Sequence, residues 1–267
     1  MRYKFTDPRY DDPQEVDKHI GKYLDGKALI ILGGYSSENW AELYAKLCPD
    51  VVIGGNGVNS LCSDLDYWLM CENLAYSNGL AQQGDRNKTA IMEMFYRPMS
   101  EKTTRFVSHR SWSLLRDKKN CVKIRRQGWE LEEIKKYFSF RDYGMGLLEG
   151  WLLKDTAAGA AVYVGTVGAQ ALHLAGILGC AEVHTIGYDL MFRDHLKHHA
   201  YPYPAYGVDK FRNASMFINH EGIPTQRVWL ESAQWLKEIE PLFKRDGLRW
   251  TDHSDGLLKI LRLDCAK

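Results

Sequence analysis

Histidines, tyrosines, aspartates and glycine turns are the residues of this chain whose type and spacing suit chemistry. Gly33-Gly34-Tyr35-Ser36-Ser37 follows an apolar run. Glycines there admit close backbone approach, and a following helix offers free N–H groups to an anion. The turn is neither GxGxxG nor GxxxxGK[ST], so it carries neither the dinucleotide nor the Walker signature. An ordinary strand-to-helix turn explains it equally well. Gly54-Gly55-Asn56-Gly57 closes a second apolar run. The Asn56 amide suits a base or a sugar hydroxyl, and the same residues also make a common turn. Gly165-Thr166-Val167-Gly168 enters a helix without charges. Gly165, Thr166 and Gly168 would cradle a phosphate or carboxylate there, or would serve helix–sheet packing. Gly187-Tyr188-Asp189 follows another expected strand, where Asp189 would bind a ribose hydroxyl or cation or cap a turn.

Histidines form two further groups. His195, His198 and His199 precede Tyr201, Tyr203 and Tyr206. The i, i+4 pair His195 and His199 suits metal ligation on a helix, but Pro202 and Pro204 favour a loop. His199, Tyr201 and Tyr203 therefore read as a lid touching substrate, and no metal site is expected. Asn219-His220-Glu221-Gly222 supplies a histidine that titrates near neutral pH and suits general-base work. A solvated surface histidine is the plainer account. Asp66-Tyr67 with Glu72 offers acids at a strand end, and Arg116, Lys118, Lys119, Lys123, Arg125 and Arg126 form a local basic cluster; a solvated face accounts for each.

The elements that would hold these residues are legible as periodicity. Ala28–Leu32 and Val51–Ile53 are continuous apolar runs of the central parallel-strand type. Trp40, Leu43, Tyr44 and Leu47 recur at helical spacing between them, and Pro49 ends that helix. Asp66–Met70, Arg105–His109 and Val122–Arg126 read as further strands, and Glu130–Phe138 as a short helix. Val162–Val164, a turn over 165–168, a helix over Ala169–Leu178 and a strand over Glu182–Ile186 follow. Gln226–Phe243 is helical, Leu248–Thr251 a strand, and Ser254–Leu261 a last helix. These imply a single α/β domain over residues 1–267 with one doubly wound, mostly parallel, Rossmann-like sheet. Residues 1–26 form an N-terminal arm, and 191–225 an inserted loop or lid. Ligand is expected at the carboxyl ends of the strands.

Composition narrows the classes. The chain has 267 residues, 45% hydrophobic and 26% charged, ordinary for a packed core and unlike a disordered chain. A net charge of +1 gives no global case for nucleic acid or anionic lipid. None of the six cysteines is in a CxxC pair, and the opening segment lacks an apolar signal region; reduced thiols and a cytoplasmic location are expected. Thr156–Ala181 is uncharged and long enough to span a bilayer, but its glycines split it into strand, turn and helix. No transmembrane span is therefore expected, while peripheral membrane contact and a homo-oligomer stay open.

The order of the pieces, strand–GG–helix, strand–GNG, DYW, GTVGAQALHLAGILGCAEVHTIGYDL, HEGIPTQRVWLESAQWLKEI and LRWTDHSDGLLKIL, resembles a group of Rossmann-like proteins. The group contains the bacterial CMP-sialic-acid-dependent sialyltransferases and the archaeal-type 6-hydroxymethylpterin diphosphokinase-like family. The latter includes many proteins linked to surface polysaccharide synthesis. The resemblance covers about two-thirds of the chain, centred on Gly165 to Asp189. It implies that Gly33, Gly34, Tyr35 and Ser36 stand where the sialyltransferases carry a nucleotide-contacting Gly-Asn-Gly-Pro-Ser turn, without its Asn and Pro. It places Asn56 at a donor-contacting asparagine and His220 at the catalytic histidine. Met191 and Phe192 stand where that family has phosphate-contacting tyrosines. Glu221-Gly222-Ile223-Pro224-Thr225 fits a segment of the pterin-type relatives.

The implied function is an inverting, direct-displacement transfer from a nucleotide-sugar donor to a glycan acceptor. Gly33–Ser36, Gly165, Thr166 and Gly168 would hold phosphate, Asn56 and Asp189 would orient base or sugar, and His220 would be the base. A CMP-sugar donor would require no metal. The alternatives are an ATP- and Mg²⁺-dependent diphosphokinase, with Asp66 and Asp189 as metal ligands, and a noncatalytic nucleotide- or sugar-binding protein of the same fold.

Overall fold

A computed structural model describes residues 18–19, 21–70, 74–84, 89, 92–93, 95–108, 114, 119–124, 127–130, 150–155, 161–163, 166–193, 200, 217–245 and 247–261. The five strands of the first half are β1 (Lys27–Ile31), β2 (Val51–Gly55), β3 (Tyr67–Met70), β4 (Thr104–Ser108) and β5 (Cys121–Ile124). Then come β6 (Gln127–Glu130), β7 (Gly150–Asp155), β8 (Ala161–Tyr163), β9 (Glu182–Ile186), β10 (Phe217–His220), β11 (Ile223–Gln226) and β12 (Arg249–Asp252). The helices are α1 (Trp40–Leu47), α2 (Leu74–Gln82), α3 (Val167–Ile177), α4 (Arg227–Arg245) and the single-turn α5 (Leu257–Ile260).

Seven strands form one sheet in the order β12-β9-β1-β2-β3-β4-β5. Every neighbouring pair is parallel. The chain adds β2 to β5 on one side of β1, then crosses to place β9 and β12 on the other. The strand order thus reverses between β1 and β9, the point at which open α/β sheets leave a crevice beyond their carboxyl ends.

Both faces are covered. Ala28 and Ile30 of β1, Ile53, Leu69 and Phe106 pack with Leu172, Leu174 and Ala175 of α3 and Leu236 and Phe243 of α4. Leu29, Ile31, Trp68 and Met70 face the other way, against Trp40, Leu43 and Leu47 of α1. Alternate residues of one strand thus feed two cores, which is why the strands read as unbroken apolar runs. Each fully buried leucine or isoleucine contributes about 1.5–3 kcal/mol relative to exposure. The α/β, doubly wound parallel sheet expected from the sequence is the architecture found.

Three local expectations differ. Ala161–Tyr163 pairs antiparallel with β7 in a separate three-stranded sheet with β6, so it is not a strand of the main sheet. Gln127–Glu130 is a strand; the rest of the helix expected over Glu130–Phe138 lies outside the described residues. Phe217–Gln226, inside the segment expected to be irregular, forms a β10–β11 hairpin. Its turn residues Glu221 (φ 51°) and Gly222 (φ 86°) both take positive φ, the conformation that suits a two-residue hairpin turn. The uncharged stretch Thr156–Ala181 contributes α3, an 11-residue helix buried on the sheet. Among the described residues no helix is long and apolar enough to cross a membrane. Of the N-terminal arm, Gly21, Tyr23 and Asp25 donate their N–H groups to Ile177, Leu178 and Gly179 at the end of α3.

Candidate functional site

The carboxyl end of β1 is tied to that of β9 by hydrogen bonds continuing past the strands. Leu32 N donates to Ile186 O at 2.8 Å, and Gly34 N to Gly187 O at 2.8 Å. Asp189 then reaches back. Its Oδ2 accepts from Ser36 N at 2.9 Å and its Oδ1 from Ser36 Oγ at 2.5 Å. Gly187 N donates to Ser36 Oγ at 3.0 Å, which closes the loop. The turn over Tyr35–Asn39 that leads into α1 has no side-chain cap of its own. Asp189, from 153 residues away, supplies the acceptor that Ser36 or Ser37 would supply locally. Asp189 is 1% exposed, and burial raises its carboxyl pKa while the Ser36 donors pull it down.

Two glycines make this clamp sterically feasible. A Cβ on Gly34 would stand 2.3 Å from Asp189 Oδ2 and 2.5 Å from Gly187 O. Gly187 has φ +79°, and a Cβ there would meet Leu32 O at 2.3 Å. The loop after β12 fastens the other side. Tyr188 N donates to Ser254 Oγ at 2.7 Å, and Leu257 N to Asp189 O at 2.7 Å. Asp252 Oδ1 accepts from Thr185 Oγ1 at 2.6 Å and from Ser254 Oγ at 2.8 Å. Burial pushes the Asp252 carboxyl up to about 6.

Beside the clamp lies a cavity of about 480 Å³. Its lining joins Tyr35 and Ser36 after β1, Ile186 and Arg193 at and after β9, and His253 and Asp255 after β12. Glu42 and Lys46 of α1 form a further wall. The Arg193 guanidinium lies over the Tyr35 ring, 5.2 Å from its centroid. The Tyr35 hydroxyl donates to Asp255 O. Its phenol pKa is raised by burial and by the Asp189 and Asp255 charges, so it stays a donor. Ala200 N donates to Gly33 O at 3.1 Å, which sets Ala200 against the β1 loop. Arg193 and Lys46, with a phenol and a hydroxyl, share this lining with the carboxylates of Glu38, Glu42 and Asp255, so the site is polar without a positive excess, and its cations and hydroxyls can each bond a ligand oxygen.

The other sequence-derived candidates fall in several places. Thr166 caps α3, its Oγ1 accepting from Ala169 N at 3.4 Å and lying 2.5 Å from the Tyr188 hydroxyl. Gly168 packs on Tyr188, whose ring a Cβ would meet at 2.6 Å. Asn56 follows β2 with φ 52°; its carbonyl accepts from Trp68 Nε1 at 2.7 Å, and its buried Oδ1 has no hydrogen-bond partner. His220 ends β10 in the hairpin, whose Pro224 O and Thr225 Oγ1 bond Phe192 N and Leu190 O. It is not among the described residues lining the cavity. Gly165, His199, Tyr201 and Tyr203 lie outside the described residues. Asp66 precedes β3 and accepts from Val52 N at 2.8 Å, so it stands at the amino ends of the strands, across the sheet from Asp189. These two carboxylates cannot share one metal ion. Among the described residues no group of three or more His, Cys, Asp or Glu side chains is arranged to hold a metal.

Arg193, Lys46, His253, Ser254 and Asp255 were not singled out by sequence reasoning. The one signal was Asp252-His253-Ser254-Asp255-Gly256 directly after a short strand, where polar residues and a glycine mark a turn at the carboxyl edge.

Fold and site together define a Rossmann-like α/β protein with a polar cavity at the reversal of strand order. No family model, curated protein or solved structure matches the chain.

Proposed function

We propose that the protein is a nucleotide-sugar-dependent glycosyltransferase of the sialyltransferase-like kind, acting in surface glycan synthesis. The supporting observation is the cavity at the strand-order reversal, lined from β1, β9 and β12 at once and carrying Arg193 and Lys46 beside Tyr35 and Ser36. The donor phosphate would meet Arg193 and Lys46, and the Tyr35 and Ser36 hydroxyls would bond phosphate or ribose. Asp189 would act through Ser36, fixing the β1 loop rather than touching the ligand. Transfer would be an inverting displacement in which a base takes the proton of the acceptor hydroxyl as that oxygen attacks the anomeric carbon. The nucleotide leaves with the bonding electron pair, and the cations stabilise the charge that develops on it. A CMP donor needs no metal in this scheme.

Thermal shift against CMP, CDP, UDP, GDP and ATP, each with Mg²⁺ or EDTA, tests the reading. A ligand at about 100 times its Kd stabilises the folded state by about 2.7 kcal/mol. Stabilisation by CMP that survives EDTA is expected. Stabilisation by ATP with Mg²⁺ alone would replace the proposal with the diphosphokinase. No shift from any nucleotide would remove both and leave a sugar-binding protein without nucleotide chemistry.

A further inference from the structure

One histidine of the cavity belongs to a hydrogen-bonded chain that crosses the sheet face. Glu182, His184 and Ile186 of β9 point to the α1 side, and the parallel register sets Thr251 beside His184. His253, two residues on, follows the end of β12 on that same face. Glu182 Oε1 lies 2.6 Å from His184 Nε2, and His184 Nδ1 lies 2.9 Å from His253 Nε2. The two imidazoles are tilted by 31° with centroids 5.1 Å apart. His184 is 7% exposed, so this buried ring has both nitrogens engaged within the protein. His253 lies in the cavity lining.

The proton positions follow from Glu182. The hydrogen bond from His184 and the ion pair with Arg249 at 2.9 Å hold its carboxyl below the ordinary range, so it is a charged acceptor. His184 Nε2 must then carry the hydrogen. With a single proton on the His184 ring, held on Nε2 by Glu182, Nδ1 is the acceptor. His253 Nε2 must donate to it. That leaves the lone pair on His253 Nδ1, which has no hydrogen-bond partner among the described residues.

We propose that Glu182, His184 and His253 form a hydrogen-bonded relay that fixes the His253 tautomer, and that its cavity end, Nδ1 of His253, accepts the proton of a ligand hydroxyl. The relay stands on the geometry; its part in glycosyl transfer rests on the nucleotide-sugar reading above. In transfer, the acceptor O–H bond breaks as its oxygen bonds the anomeric carbon, and its proton goes to His253 Nδ1. The bond from anomeric carbon to phosphate oxygen breaks, and the nucleotide takes the electron pair. The positive charge formed on His253 is stabilised through Nε2–H and His184 by the Glu182 carboxylate. The proton on Nδ1 is afterwards released to water. The arrangement is the tautomer-fixing logic of a carboxylate–histidine pair lengthened by one imidazole.

Charges around His253 come from each neighbouring element. Lys46 and Glu42 stand on α1, Glu38 on the turn before it, Arg193 after β9 and Asp255 two residues on. Partial burial first, and the Lys46 cation with it, keeps the His253 ring below the ordinary histidine range, so it is a neutral base at pH 7.

The test combines nitrogen-15 NMR of the histidines with turnover of the full chain. Long-range proton–nitrogen spectra at pH 8 should show His253 with hydrogen on Nε2 and a bare Nδ1. Glu182→Gln should release both tautomers and lower the His253 titration further. A His253 with hydrogen on Nδ1, or one unaffected by Glu182→Gln, overturns the relay. For the chemical role, CMP-sialic acid serves as donor with water as acceptor, and CMP release is read against pH. His253→Asn should slow release by about 10² or more, as loss of a general base does, with the CMP thermal shift unchanged. Full turnover by His253→Asn overturns its role. If CMP shifts nothing and the wild type releases none, the nucleotide-sugar reading fails while the NMR still decides the relay.

Discussion

Asp252→Asn should stabilise the protein at alkaline pH and give progressively less benefit as the pH falls. Asp252 Oδ1 takes the hydrogen bonds of Thr185 Oγ1, Ser254 Oγ and Ser254 N, while its buried Oδ2 has no partner. Burial raises its pKa from 3.8 to about 6 against those donors. A carboxyl whose folded pKa exceeds its unfolded value favours the folded state below the unfolded pKa. That contribution is lost as pH rises through the folded pKa. At ~1.36 kcal/mol per pH unit, the full loss is about 3 kcal/mol. Asn keeps the Oδ1 acceptor and the shape but never ionises. Between pH 4.5 and pH 8 the gap between variant and wild type should therefore grow by about 2 kcal/mol in favour of Asn. Urea unfolding of both proteins at the two pH values measures it. Glu182 and His253 titrate with the opposite sign, each losing stability as pH falls, but they are common to both proteins and cancel in the comparison. A stability difference that does not change with pH would refute the reasoning, because it would mean that the Asp252 charge is not paying a burial cost.

Gly34→Ala places a methyl against Asp189 Oδ2 and the Gly187 carbonyl, and should cost about 2 kcal/mol or more in urea unfolding. Gly79→Ala is its control: in α2, with nothing within 4 Å of the added Cβ, it should stabilise by about 0.5–1 kcal/mol. Ser36→Ala strands a buried carboxylate oxygen and the Gly187 N–H, and should lose about 1.5–3 kcal/mol and weaken binding of CMP, read by calorimetry. Tyr188→Phe removes the hydroxyl bonded to Thr166 and should cost about 1 kcal/mol while leaving CMP binding unchanged.

The sheet was legible where its strands are buried on both faces. Ala28–Leu32 and Val51–Ile53 each show as an apolar run followed by glycine, Glu182–Ile186 as a short stretch with β-branched residues ending at Gly187, and each is a strand of the main sheet. Ala161–Tyr163 has the same local appearance, yet its pairing with β7 depends on contacts that periodicity does not encode. The β10–β11 hairpin escaped notice because Glu221-Gly222 does its turn in place of the usual Asn-Gly or Asp-Gly. In the site, Gly34, Ser36 and Asp189 drew attention as residues at strand ends, and the structure joins them to one another. Their joint clamp was invisible because the helix-capping carboxylate is distant in sequence. His253 went unremarked because its significance comes from His184 and Glu182 on the neighbouring strand, 69 and 71 residues earlier. His220, before a long helix, reads locally as a base, and it is not among the described residues that line the cavity.

Calorimetric titration of CMP into the full chain in EDTA, beside Arg193→Ala, tests the central claim most directly. The account predicts metal-independent binding to the wild type, weakened by about tenfold or more when the guanidinium is removed, since a charge-assisted phosphate contact contributes about 1.5–3 kcal/mol. CMP binding that is indifferent to Arg193, or no CMP binding at all, would contradict the assignment of this cavity to a nucleotide donor.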